Sequence, residues 1–174
     1  MNSRQNSVSD DAPIFLVGFM GAGKTTVGRA LARHLEYDFL DLDELIAARA
    51  GKAVQDIFTE LGEAEFRGLE REAIQSCRGM VRAVIALGGG AYVSKQNRTA
   101  VRSIGKSIWL DCPLEICLVR IAGDKSRPLL GDVDDMRALL VRRRAAYAQA
   151  DYCVQAGEFS PEELAIEITR LLSN

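Results

Sequence analysis

Residues 18–25 read Gly-Phe-Met-Gly-Ala-Gly-Lys-Thr, the pattern G-x-x-x-x-G-K-[ST], and no other segment of the chain constrains its fold as much. The apolar run Ile14-Phe15-Leu16-Val17 precedes it and reads as a buried strand stopped by Gly18. Thr25 to Glu36 follows and reads as a helix, with Val27, Ala30, Leu31 and Leu35 on one face. Strand, glycine turn and helix in that order build a cradle for an anion. Glycines let the backbone turn back so that several N–H groups point at one phosphate, and the helix adds its positive N-terminal end. Gly21, Ala22, Gly23 and Thr26 belong to that cradle. Lys24 offers a compact charge to the β- and γ-phosphates, and the Thr25 hydroxyl is a ligand for Mg²⁺. The pattern points to a nucleoside triphosphate such as ATP, with Mg²⁺, and leaves open what receives the phosphate.

The rest of the chain continues the alternation of strand and helix. Phe39-Leu40, Val84 to Leu87, Ser107 to Leu110 and Tyr152 to Val154 read as strands. A helix beginning at Asp41 to Glu44, and the segments Glu60–Arg78, Pro113–Ile121 and Asp134–Gln149, read as helices. Ser160-Pro161-Glu162-Glu163 is a capping-box start for a C-terminal helix. Strands separated by helices imply βαβ units, hence an α/β fold with a parallel sheet covered on both faces. A chain of 174 residues is one domain long enough to bury a core. The polar stretch 1–12 is expected to be a disordered tail, and 13–174 the domain.

Composition removes several function classes. A net charge of −2 gives no case for nucleic-acid binding by bulk charge. No apolar run approaches the roughly 20 residues needed to span a bilayer. Cys77, Cys112, Cys117 and Cys153 form no C-x-x-C pair and read as reduced, core-filling thiols of a cytoplasmic protein. His34, the one histidine, reads as structural or surface. No extra apolar stripe is evident, so a monomer is expected.

Three further clusters bear on the acceptor. Asp41-Leu42-Asp43 ends the second strand, and residues two apart in extended chain share a face. Both carboxylates can then face a cleft, one toward Mg²⁺ and one toward an acceptor hydroxyl; equally, they suit a helix N-terminus. Arg67 can clamp a carboxylate through its planar fork, or pair on a helix surface with Glu63 or Glu70. Gly88-Gly89-Gly90 after a strand either exposes backbone to a ligand or is a plain loop.

Taken in order, GFMGAGKTTVGRALA, DLDELIAARAGKAVQDIFTELGEAEFRGLE, ALGGG, SRPLL and RRRAAYAQAD resemble shikimate kinases from about Ile14 to the C-terminus. The resemblance implies a three-layer P-loop kinase fold with a five-stranded parallel sheet in the order 2-3-1-4-5. It also implies a mobile lid at about 123–133. The implied reaction is phosphorylation of the shikimate 3-hydroxyl by ATP. It gives Asp41 a supporting role beside Mg²⁺, and Asp43 the substrate hydroxyls and the orientation of the attacking one. Arg67 grips the carboxylate, Gly88, Gly89 and Gly90 touch substrate through backbone, Arg120 flanks the adenine, and Arg127 in the lid reaches the phosphates. The family pattern R-x-P-x-Y places a second substrate arginine at Arg143, with Arg144 the alternate because Ala145 stands in place of proline. Other readings are a gluconate-type small-acceptor kinase or a catalytically silent ATP-binding module.

Overall fold

The computed structural model describes residues 11–122 and 132–173. Arg127 and nearly all of the expected lid therefore lie outside the described residues, as do residues 1–10 of the expected tail.

The strands are β1 (Ile14–Val17), β2 (Asp38–Asp41), β3 (Ala83–Ala86), β4 (Lys106–Asp111) and β5 (Tyr152–Gln155). They form one sheet in the order β2-β3-β1-β4-β5, and every neighbouring pair is parallel. Phe15 at the centre stands level with Ile85 on one side and Ser107 on the other. Phe15, Leu16 and Val17 are wholly buried, which is why this stretch shows no polar alternation: a central parallel strand has helices on both faces. The helices are α1 (Lys24–Leu35), α2 (Leu42–Ala50), α3 (Val54–Ser76), α4 (Lys95–Ile104), α5 (Leu114–Ala122), α6 (Val133–Tyr147) and α7 (Pro161–Leu172).

Gly28 shows how closely α1 is seated on the sheet. A Cβ there would stand 2.5 Å from Phe39 Cε2 and 3.3 Å from Leu16 Cδ1. A glycine inside a helix costs about 1 kcal/mol relative to alanine. Here it lets the helix, and the phosphate loop that leads into it, approach the strands. The capping box expected at Ser160 is present, with the Ser160 hydroxyl accepting from Glu163 N–H and the Glu163 carboxylate accepting from Ser160 N–H.

Several local expectations shift. The helix expected from Glu60 begins at Val54; its N-cap is Ala53, which has no side-chain oxygen to announce the start. Gly62, at φ 83° and ψ 169°, then breaks α3 into two segments. Helix α4 has no counterpart in the sequence reading: its inward positions are Asn97, Ala100, Val101 and Ile104, correctly spaced but weakly apolar. Asp11 and Ala12, expected in the tail, are instead held against the domain. The Asp11 carbonyl accepts from Arg82 N–H at 2.7 Å, and Ala12 is buried. Cys77, Cys112 and Cys117 fill the core as expected, whereas Cys153 is exposed, since β5 is an edge strand. His34 lies on the surface.

Candidate active site

The C-terminal ends of β1, β2 and β3 open on one cleft of about 430 Å³, lined by the phosphate loop, Asp41, Asp43, Leu87 to Gly89, Arg120 and Ile121. This is the position at which doubly wound sheets bind ligands. Lys24, Thr25 and Thr26 lie at its floor in the first turn of α1, where the unpaired N–H groups of the helix point outward. Gly23 caps that helix at φ 92°. Gly21, at φ 77°, shows why the loop needs glycine: a Cβ there would meet the Cys117 carbonyl oxygen at 2.6 Å. Lys24 Nζ donates to the carbonyls of Gly18 and Phe19 at 3.0 and 2.9 Å, which folds the ammonium over the loop where phosphate oxygens would compete for it.

Asp41 ends β2 and caps α2. One carboxylate oxygen accepts from Asp43 N–H at 3.0 Å, and the other accepts from the Thr25 hydroxyl at 2.7 Å. Asp41 thus caps a helix and lines the cleft at once. Thr25 and Asp41 together form a hard-oxygen pair beside the phosphate loop, the donor type Mg²⁺ takes. Among the described residues there is no cluster of three or more His, Cys, Asp or Glu able to hold a metal.

The triple glycine organises the other half of the cleft. Each of its members faces one of the side chains expected at the acceptor. A Cβ on Gly88 would stand 2.6 Å from Asp43 Oδ1; on Gly89, 3.3 Å from Met20 N of the phosphate loop and 3.8 Å from Arg143 Nη1; on Gly90, 2.7 Å from both terminal nitrogens of Arg67. Residues far apart in sequence, from α2, α3 and α6, thus meet around one turn. The Gly89 carbonyl accepts from Arg143 Nη1 at 3.3 Å and from the Tyr147 hydroxyl. Tyr147 is fully buried, and burial pushes its phenol up to about 12.

Arg67 makes both of the pairings that helical spacing allows, and they differ in kind. Its Nη1 reaches Glu70 at 2.6 Å, and its Nη2 reaches Glu63 at 3.0 Å. Glu63 is exposed, while the Glu70 side chain is 1% exposed. Burial raises the Glu70 carboxyl above the usual glutamate range, and the Arg67 guanidinium pulls it back only in part. Burial would lower Arg67, but its bonds to Glu70 and Glu63 outweigh that and raise it. Sequence alone offers Glu70 as a surface partner; the structure makes it the buried brace of Arg67, beside the triple glycine. The signal was its place three residues after Arg67.

Arg143 and Arg144 separate. Arg143 turns to the triple glycine, whereas Arg144 Nη2 pairs with Asp111 Oδ2 at 2.6 Å on the far side. Arg120 lies over the phosphate loop, its Nη1 donating to the Gly21 and Ala22 carbonyls, each at 3.4 Å.

The family model described as Shikimate kinase matches residues 20–173. A shikimate kinase of Geobacter sulfurreducens is 44% identical over 163 residues, covering 92% of this chain and 90% of that protein. The structure of an Acinetobacter baumannii shikimate kinase in complex with shikimate superposes with a TM-score of 0.88 at 37% identity, covering 93% of each chain. A deoxyadenosine kinase of M. mycoides with bound dATP, at 13% identity and a TM-score of 0.64, shares the fold. With the family model spanning most of its length, this chain belongs to the shikimate kinase family.

Proposed function

We propose that the chain transfers the γ-phosphoryl group of ATP to the 3-hydroxyl of shikimate, giving ADP and shikimate 3-phosphate. The observation that carries this reading is the triple-glycine turn, whose members face Asp43, Arg143 and Arg67 in succession at the end of a phosphate cradle. A small acid with a carboxylate at one end and hydroxyls at the other is complementary to two arginines and a carboxylate set around exposed backbone.

Phosphoryl transfer needs alignment and charge neutralisation more than covalent help. Lys24 leaves the Gly18 and Phe19 carbonyls for the phosphates, and the loop N–H groups surround them. The Thr25 hydroxyl and Asp41 would hold Mg²⁺, which offsets phosphate charge when bound. Arg67 and Arg143 hold the carboxylate, and this fixes the acceptor's orientation. Asp43 accepts the hydrogen of the attacking hydroxyl and keeps its oxygen in line. Arg120 lies against the adenine, and Arg127, carried over from the family resemblance, adds a cation at the phosphates. No helix among the described residues is long and apolar enough to cross a membrane; a cytoplasmic monomer is the accompanying proposal.

The test is a coupled assay of ADP release with shikimate, with gluconate and with no acceptor. Fast release with shikimate alone is expected. Faster turnover of gluconate would overturn the acceptor, and release that ignores both acids would overturn the kinase reading.

A further inference from the structure

We infer that Arg144 is a positioning residue for acceptor binding: by clamping α6 to the end of β4 it sets where Arg143 stands over the triple glycine. The inference rests on the proposal that Arg143 holds the substrate carboxylate.

Arg144 makes two contacts of different physical kinds. Its Nη2 meets Asp111 Oδ2 at 2.6 Å, and its guanidinium carbon lies 5.1 Å from the centre of the Trp109 ring. Both partners lie in β4, one strand from β1 and the phosphate loop. The Asp111 side chain is only 10% exposed, and Gln155 Nε2 of β5 also donates to its Oδ2 at 3.4 Å. The carboxylate is therefore a fixed post where three elements meet. Arg144 itself is 55% exposed, so its ion pair stabilises the fold little. Its value is geometric.

Consecutive residues of an α-helix point about 100° apart. Fixing Arg144 against the sheet therefore fixes the roll of α6, and the roll aims Arg143. With side chains reaching about 5–6 Å from the helix axis, a 10° roll moves a side-chain head by about 1 Å. That is enough to spoil a bidentate grip on a carboxylate. The other anchor at this end of α6 is Tyr147, whose ring centre lies 6.2 Å from that of the same Trp109 and whose hydroxyl bonds the Gly89 carbonyl. Ala145 and Ala146, between the two, have no polar group to contribute. One tryptophan thus backs both the residue that holds the glycine turn and the residue that aims the arginine.

The experiment measures kcat, both KM values and thermal stability for the full chain and for R144A, R144K, D111N, the R144A/D111N pair and R143A. R144A should raise the shikimate KM about 5–10-fold, with the ATP KM and kcat within about twofold. D111N should do the same, and the pair should be no worse than either single change, because both remove one strut. R144K should recover only part, since an ammonium reaches Asp111 but does not stack as a plane on Trp109. An unchanged shikimate KM in R144A overturns the inference. So does a lowered shikimate KM in D111N, the sign that a released Arg144 binds the acid directly. Parallel losses in kcat, both KM values and stability would reduce the strut to general support and also overturn it. R143A separates this inference from the reading beneath it. If R143A binds shikimate normally, both fall; if R143A is impaired and R144A is not, only the positioning role falls.

Discussion

Gly88→Ala adds one methyl group at a crowded point of the cleft. Gly88 has no positive φ, so alanine fits its backbone and the effect is purely one of contact. The new Cβ would lie 2.6 Å from Asp43 Oδ1 and 3.2 Å from Glu70 Oε1, where ordinary contact begins at 3.4 Å. Asp43 must yield by about 0.8 Å, the difference between those distances, and Glu70 by a few tenths. Glu70 is held in place by Arg67 and by burial, so the strain falls on Asp43, the carboxylate proposed to face the acceptor hydroxyl. A misplacement near 1 Å at the reacting centre costs about 10²-fold in rate. Crowding of this kind costs roughly 1–3 kcal/mol in stability where neighbours cannot relax, and less beside an open cleft. The expected outcome is kcat down about 10²-fold, with ATP affinity by calorimetry within about twofold because no phosphate-loop atom is among the three nearest to the new Cβ. A folded G88A protein with kcat within about threefold of the parent would refute either the placement of Asp43 or its part in aligning the hydroxyl.

The remaining expectations follow from the same distances. Arg67→Ala should weaken shikimate binding by roughly 2–5 kcal/mol. The lower end is favoured because the side chain is 31% exposed, and ATP affinity should hold; calorimetry showing normal shikimate affinity would remove Arg67 from the site. Thr25→Val deletes the hydroxyl that meets Asp41 at 2.7 Å and should raise the Mg²⁺ concentration needed for half-maximal rate about 10-fold, with the fold intact; an unchanged Mg²⁺ titration contradicts the assignment. Tyr147 has a folded pKa raised from 10.0 to about 12, so its contribution to stability should be full below pH 10 and lost as pH rises toward 12. The ultraviolet difference between the protein and its Tyr147→Phe variant should accordingly show no phenolate until well above pH 10; ionisation at pH 10 would mean the ring is not buried as described.

What the sequence determined by itself is everything carried by short-range pattern. Gly18 to Thr25 dictated strand, loop and helix because only that order points glycine N–H groups and a helix end at one anion. The solid apolar run at Ile14 to Val17 dictated a strand covered on both faces, and Ser160 to Glu163 dictated a helix start, because capping is a contact between residues three apart. Family resemblance then brought in the strand order and the acceptor residues, which pattern alone left balanced between function and plain helix chemistry. The tertiary structure decided matters of long-range contact. Glu70 and Glu63 are equivalent partners for Arg67 on a helical wheel; only packing buries one and leaves the other in water. Arg143 and Arg144 are adjacent in a run of like charges, and their contacts part only when α6 meets Gly89 on one side and Asp111 on the other. The weakly apolar α4 stayed illegible because its stability comes from neighbours in α3 and β4, which no window of local sequence contains. The break at Gly62 is different in kind: it falls at a glycine, whose tolerance of positive φ is a local property.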